Sequence, residues 1–218
     1  HRAAAAGCVV HRVALGVARD GVCRGVWSSW TKGRTMEAMA LVIDDHVWTR
    51  EERDALPADG SRHELIDGAL VVTPGPNRWH QRAAFRLAQA LAAAAPAHLE
   101  LLMAPFDVAL AEDTVVQPDI LIAPVDAYTD RDLPGAPLLA VEVLSPSTRG
   151  IDQVLKLRRY EQAGTPSYWL VDPDTATLTA YELDADGHYQ LVAEVTGDGT
   201  WTATHPFPVT IRPRDLIV

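Results

Sequence analysis

Apolar and polar positions alternate with two different periods along this chain, and together they predict a mixed α/β order. Thr49-Arg50-Glu51-Glu52 has the form of a capping box, so a short helix is expected there, stopped by Pro57. HELIDGALVV then reads as two strands pinched at Asp67-Gly68, a dipeptide suited to a tight hairpin. Asn77 is placed to cap a helix that runs to about Ala95 and ends at Pro96, with Phe85, Leu87, Ala88 and Leu91 as its apolar side. LELLM and FDVAL follow as strands around Pro105. VVQPDILIAP and APLLAVEVLSP are the two most apolar runs and read as central strands covered on both faces, joined by a Pro-containing loop over 124–137. Ser147 or Thr148 is expected to cap the next helix, which runs to Ala163 and is closed by Gly164 and Pro166. SYWLVDP reads as another buried strand with Trp169 in the core. TLTAYEL, HYQLVAEV and the C-terminal stretch read as a short β meander.

Residues 1–35 carry neither period and begin with His1. Residues 1–38 are therefore expected to be an unstructured or non-native extension, and 39–218 a single domain. The two cysteines, Cys8 and Cys23, both fall in that extension. A disulfide framework or thiolate zinc site is thus excluded from the patterned region, which fits a reducing cytoplasm. No run approaches the roughly 18 apolar residues of a membrane-spanning helix.

Charge divides the chain in the same place. The net charge is −10, but residues 1–35 hold six basic residues and one acid, so 36–218 hold 13 basic and 28 acidic residues, a net of −15. An acidic body excludes broad, unspecific coating of nucleic acid and requires any phosphate contact to be local or metal-assisted.

Two carboxylates interrupt the most apolar runs. Asp119 opens DILIA and Glu142 sits inside LLAVEVL. A carboxylate in such surroundings must be paired, metal-bound or protonated. Should the two runs pair antiparallel, Asp119 and Glu142 lie side by side on neighbouring strands and offer hard oxygen donors to Mg²⁺ or Mn²⁺. The competing reading for each alone is a strand-edge residue or the partner of a buried arginine. On the following helix, Asp152, Lys156 and Tyr160 share one face by spacing. A surface ion pair between Asp152 and Lys156 explains that spacing equally well, and Tyr160 reads more readily as a packing residue. Arg78, Arg82 and Arg86 form one basic stripe, and Arg149, Arg158 and Arg159 surround the Lys156 helix. Each set offers phosphate contacts or simply a solvated face. His80 reads as a capping or surface residue more readily than as one serving near the site.

HELIDGAL, Asn77 to His80, QPDILI, VEVLSPST, then Asp152, Lys156 and Tyr160, then SYWLVDP occur in that order over about residues 45–185. This ordered set resembles the Uma-two family of endonuclease-like proteins, within the PD-(D/E)XK, restriction-endonuclease-like superfamily. The resemblance implies an αβββαβ core with a mixed central sheet flanked by helices. It also implies a divalent cation, Mg²⁺ with Mn²⁺ as substitute, and hydrolysis of nucleic-acid phosphodiester bonds. By position Asp119 matches the motif aspartate, Glu142 the motif glutamate and Glu64 the early acidic residue, three candidate metal ligands. Lys156 matches the motif lysine moved onto the helix, since Leu144 occupies its usual strand place two residues after Glu142. The expected partner is nucleic acid, DNA before RNA, contacted by Arg78, Arg82, Arg158 and Arg159, by a monomer or homodimer. A non-catalytic binding or assembly module on the same scaffold is the alternative, and a metal-dependent hydrolase of a small phosphate compound a third.

Overall fold

The computed structural model describes residues 46–57, 60–146 and 148–218, and ahead of them the backbones of three short strands, Val13–Ala14, Gly25–Val26 and Ala40–Val42. The reading of residues 1–38 falls outside the described residues, apart from the antiparallel pair Val13–Ala14 and Gly25–Val26.

Local chemistry accounts for the first elements. Thr49 and Glu52 form the reciprocal capping box, and helix α1 spans Arg50–Asp54. Strands β1 (Arg62–Ile66) and β2 (Ala69–Thr73) pair antiparallel across Asp67 and Gly68, whose φ angles of 56° and 73° are the left-handed values that a two-residue hairpin turn requires. Helix α2 (Arg78–Ala94) starts where Asn77 Oδ1 accepts the N–H groups of Trp79 and His80 at 3.0 and 3.1 Å. Its buried stripe is Ala83, Ala84, Leu87, Ala88 and Leu91. Phe85, expected on that side, points outward and is 56% exposed.

The strands that follow do not build one central sheet. They are β3 (Leu99–Met103), β4 (Asp107–Ala111), β5 (Thr114–Val116), β6 (Ile120–Pro124), β7 (Asp132–Pro134) and β8 (Leu139–Val143). The run VVQPDILIAP, read above as a single strand, divides at Gln117-Pro118, because proline has no N–H for a ladder and the chain there changes sheets. One sheet has the order β7-β4-β5-β1-β2, with Ala40–Val42 beyond β2. The segment read as the 124–137 loop contributes β7, parallel to β4. The other sheet runs from β3 through β6 and β8 to β9 (Ser167–Asp172), β10 (Thr177–Leu183) and β11 (Tyr189–Thr196). In it β3, β6 and β8 are successive antiparallel neighbours and β9 is parallel to β8. The chain ends in a hairpin, β12 (Trp201–Ala203) with β13 (Val209–Ile211), and helix α4 (Pro213–Ile217).

Strand parity decides which side chains meet the site. On the second sheet Ile120, Ile122, Val141, Val143, Trp169 and Val171 face α2 and the C-terminal hairpin. Leu121, Ala140, Leu144, Tyr168 and Leu170 face the first sheet, packed with Ile66, Val71, Val108 and Val116. Glu142 has the parity of Ala140 and Leu144, so it projects between the two sheets. The helical segment after β8 closes that gap. Ser145 Oγ, rather than the expected Thr148, accepts an N–H at its start, from Thr148 at 3.3 Å, and Ser147 lies outside the described residues. Ile151–Lys156 is wound as a π-helix and continues into α3 (Leu157–Ala163), which Gly164 terminates with φ 81°.

Candidate functional site

The inter-sheet gap gathers four carboxylates. Register Val141 to Ile120 puts Glu142 beside Asp119, and the Val143 N–H donates to Asp119 Oδ2 at 2.7 Å. Glu64 enters from β1 of the facing sheet, and the Gln117 N–H donates to its Oε1 at 2.7 Å. Asp152 enters from the π-helical turn, its carbonyl accepting from Tyr168 Oη at 2.9 Å. Glu64, Asp119, Glu142 and Asp152 are all 3% exposed or less.

Lys156 supplies the counter-charge. Its Nζ stands 2.8 Å from Glu64 Oε1, 3.0 Å from Glu142 Oε1 and 3.6 Å from Asp152 Oδ1. The surface ion pair admitted above is therefore a buried one, and Lys156 itself is 2% exposed. Leu144, which fills the strand position two residues past Glu142, is itself core. Tyr160 is buried within 5.0 Å of the Tyr168 ring, and its hydroxyl makes no hydrogen bond. It packs rather than holds the lysine.

Two further side chains meet Asp119. Arg62 Nη2 donates to Oδ1 at 2.8 Å while its Nη1 donates to the Gln117 carbonyl at 3.1 Å. His80 Nε2 lies 3.0 Å from Oδ2. His80 is thus a buried partner of the aspartate, not a surface residue, because the Asn77 cap turns the first turn of α2 toward the gap. From the sequence His80 is a lesser candidate for the site, and Arg62 was not legible as a site residue, though it shares its strand face with Glu64, and that spacing was the available signal.

The electrostatics follow from burial. For Glu142 burial dominates, and with Asp152, Asp119 and Glu64 nearby it pushes the carboxyl well above its ordinary value despite Lys156. Burial likewise pushes Asp152 up to about 6, against Lys156 and a hydrogen bond from Thr148. Burial also opposes ionisation of Asp119, but the hydrogen bond from His80, the charge of Arg62 and the Val143 N–H hold it below the usual carboxylate range. Burial alone would lower Lys156. Glu142, Glu64 and Asp152 overcome it and raise its affinity for the proton.

Four carboxyl groups face Lys156 and Arg62 in the gap, and burial holds the Glu142 and Asp152 protons more tightly than usual, so the cluster carries less negative charge than four free carboxylates would. A cavity of about 30 Å³ lies among Glu64, Asp119, Glu142, Asp152 and Lys156, enough for one water-sized body. Carboxyl oxygens and a cavity of that size match a small divalent cation in kind, and Asp119, Glu142 and Glu64 are the residues that would hold one. Both Asp119 oxygens are already engaged, Oδ1 by Arg62 and Oδ2 by His80 and the Val143 N–H, so a cation there would share the carboxylate with these partners or displace one. Among the described residues no group of three or more His, Cys, Asp or Glu is gathered as a ready cage. Beside this cavity opens a cleft of about 950 Å³ that shares Arg62, His80 and Asp119 with it.

The arginines expected to contact nucleic acid have mixed surroundings. Arg82 and Arg86 donate to the carbonyls of Ile217 and Asp215 at 3.3 and 2.9 Å and tie α4 to α2. Arg159 pairs with Asp67 and donates to Gln162 Oε1. Arg78 is exposed, 4.3 Å from the Trp79 ring, and Arg158 is exposed. Among the described residues no helix is long and apolar enough to cross a membrane.

The fold has a counterpart in a crystal structure titled as that of a putative nuclease belonging to DUF820 from Anabaena variabilis ATCC 29413. The two are 19% identical, the TM-score is 0.61, and the match covers 78% of this chain and 97% of that one. No curated protein matches the chain. The model of the Uma2 family, described as "Putative restriction endonuclease", matches residues 50–215, and over that span, which contains every residue of the cluster, the chain belongs to the Uma2 family.

Proposed function

We propose that the chain is a divalent-metal-dependent endonuclease that hydrolyses nucleic-acid phosphodiester bonds, those of DNA in the first place. The observation that carries this reading is the convergence of Glu64, Asp119, Glu142 and Lys156, from both sheets and a helix, on one small buried cavity in a chain of this family. The order α2-β3-β6-β8-α3-β9, with its antiparallel trio and one parallel strand, supports the αβββαβ core expected of such nucleases.

Asp119, Glu142 and Glu64 would hold the cation, Mg²⁺ or Mn²⁺, which would supply a more acidic bound water and polarise a phosphate oxygen. Lys156 is protonated at neutral pH in this surrounding, so it does not serve as the base. It contributes a fixed positive charge beside the reacting phosphate. Arg62, held at the mouth by the Gln117 carbonyl, can turn its guanidinium from Asp119 to a phosphate oxygen. His80, 3.0 Å from Asp119 Oδ2, orients that carboxylate toward the gap.

A non-catalytic binding module on the same scaffold is the second reading, favoured by one observation: Lys156 already bridges two of the three candidate ligands. Two measurements separate the readings. Mn²⁺ should raise the melting temperature of the wild type, because it binds only the folded state. Asp119→Asn and Glu142→Gln should each abolish that rise, and a rise surviving in both variants puts the ion elsewhere. Plasmid and oligonucleotide substrates are then incubated with Mg²⁺, Mn²⁺ or EDTA, with Asp119→Asn as control. Cleavage in metal alone supports the nuclease, and no cleavage by wild type under any metal leaves the binding module.

A further inference from the structure

We propose that the cleft beside Asp119 receives an unpaired nucleotide, so that the preferred ligand is single-stranded or locally unpaired nucleic acid and not intact duplex. The proposal rests on the nuclease reading for its chemistry, but its binding half stands on separate observations.

Access comes first. Glu64, Asp119 and Glu142 are at most 3% exposed, so a phosphodiester must move inward past Arg62 and His80 to reach them. A duplex presents its phosphates on a broad, stiff, convex surface that follows a narrow cleft poorly. An unpaired strand bends freely at each nucleotide. The cleft of about 950 Å³ is at the upper end of pockets that enclose small molecules, which suits a nucleotide-sized group.

The lining matches a base. Phe85 and Met103, 56% and 36% exposed, line the cleft with Pro105 and give it an apolar surface. His63 and Gln81 add polar groups to the same wall. A flat base has an apolar face and a polar edge, and aromatic side chains hold such faces with little regard to sequence.

The charge pattern argues the same way. Duplex binding draws on many phosphate contacts. Here the net charge is −10, and Arg50, Arg53, Arg82, Arg86, Arg149 and Arg159 are bonded to acids or carbonyls of their own chain. These six guanidinium groups of the described residues are already engaged and would have to leave their partners to grip a duplex backbone, whereas one nucleotide in a cleft needs few contacts.

The test is fluorescence anisotropy of the full chain in EDTA, so that nothing is cut. The probes are an oligonucleotide of about 20 nucleotides, its duplex, and a duplex with a central unpaired loop. The single strand and the looped duplex should bind at least about tenfold more tightly than the intact duplex. Phe85→Ala, a change at an exposed position that leaves the fold and the Mn²⁺-induced thermal shift unaltered, should weaken both about tenfold. Equal or tighter binding of the intact duplex, no binding of the single strand, or no effect of Phe85→Ala overturns the proposal. Failure of the nuclease reading is seen separately. A single strand that binds with this preference but is cut under no metal removes the nuclease and keeps the cleft. A duplex bound and cut in preference removes the cleft and keeps the nuclease.

Discussion

Asp152 brings a fourth carboxylate into a gap that holds one ammonium group, and its contact with Lys156, 3.6 Å, is the longest of that group's three. Burial is the largest influence on it. Together with the charges of Asp119 and Glu64, burial outweighs Lys156 and Thr148 and lifts the carboxyl from 3.8 to about 6. The folded protein therefore keeps this proton to higher pH than the unfolded chain does. The stability linked to the group is fully present below about pH 3.8 and is lost as pH rises through about 6. A gap of about two pH units corresponds to about 3 kcal/mol. Asparagine has the shape of the protonated acid and keeps an oxygen for Thr148, but it cannot ionise. Asp152→Asn should thus be nearly as stable as wild type at about pH 4 and more stable by about 3 kcal/mol from about pH 7 upward. Urea unfolding of both proteins in EDTA, at several pH values between these limits, measures the difference directly. A difference that does not change with pH, or a variant less stable at pH 8, refutes the reasoning and makes Asp152 a net stabilising partner of Lys156.

Lys156→Met tests the other half of the balance. It leaves Glu64 and Glu142 facing each other without a cation and should cost about 3–5 kcal/mol at neutral pH by urea unfolding, with cleavage lost. A cost under about 1 kcal/mol means that the ammonium is solvated like a surface pair. Asn77→Ala removes the acceptor for two N–H groups at the start of α2 and should cost about 1 kcal/mol, while Asn77→Asp keeps it; thermal unfolding distinguishes them.

What was legible in the sequence was local. The Thr49 box, the Asp67-Gly68 turn and the Asn77 cap depend on residues within four positions of each other, and each stands as read. Asp119 and Glu142 stood out against their apolar neighbours, and for Asp119 the competing reading, the partner of a buried arginine, is met by Arg62 as well. What was not legible was made by distance. Arg62 meets Asp119 across 57 positions of chain and Gln117 meets Glu64 across 53, and no period in a sequence encodes such pairs. The division of VVQPDILIAP between two sheets had one local sign, Pro118, which cannot serve a continuous central strand. Phe85 was placed inside because its hydrophobicity fits a helix stripe, whereas the stripe that buries is one of alanines and leucines that let α2 approach the sheet closely.

The crossover at Gln117 has a consequence for the order in which the protein can be made. This residue donates its N–H to Glu64, lends its carbonyl to Arg62 and its side-chain amide to Asp107, so it anchors the first sheet at the point where the chain passes into the second. A chain synthesised only as far as β8 would already contain Glu64, Asp119 and Glu142, but not Lys156. Pressing the sheets together at that stage would bury three like charges with only an arginine at their edge. The nascent chain therefore gains nothing by closing the gap until the turn carrying Lys156 has emerged. Final docking of the sheets and appearance of the assembled cluster should be one event, late in biogenesis, when few incomplete chains are left to expose a half-formed centre.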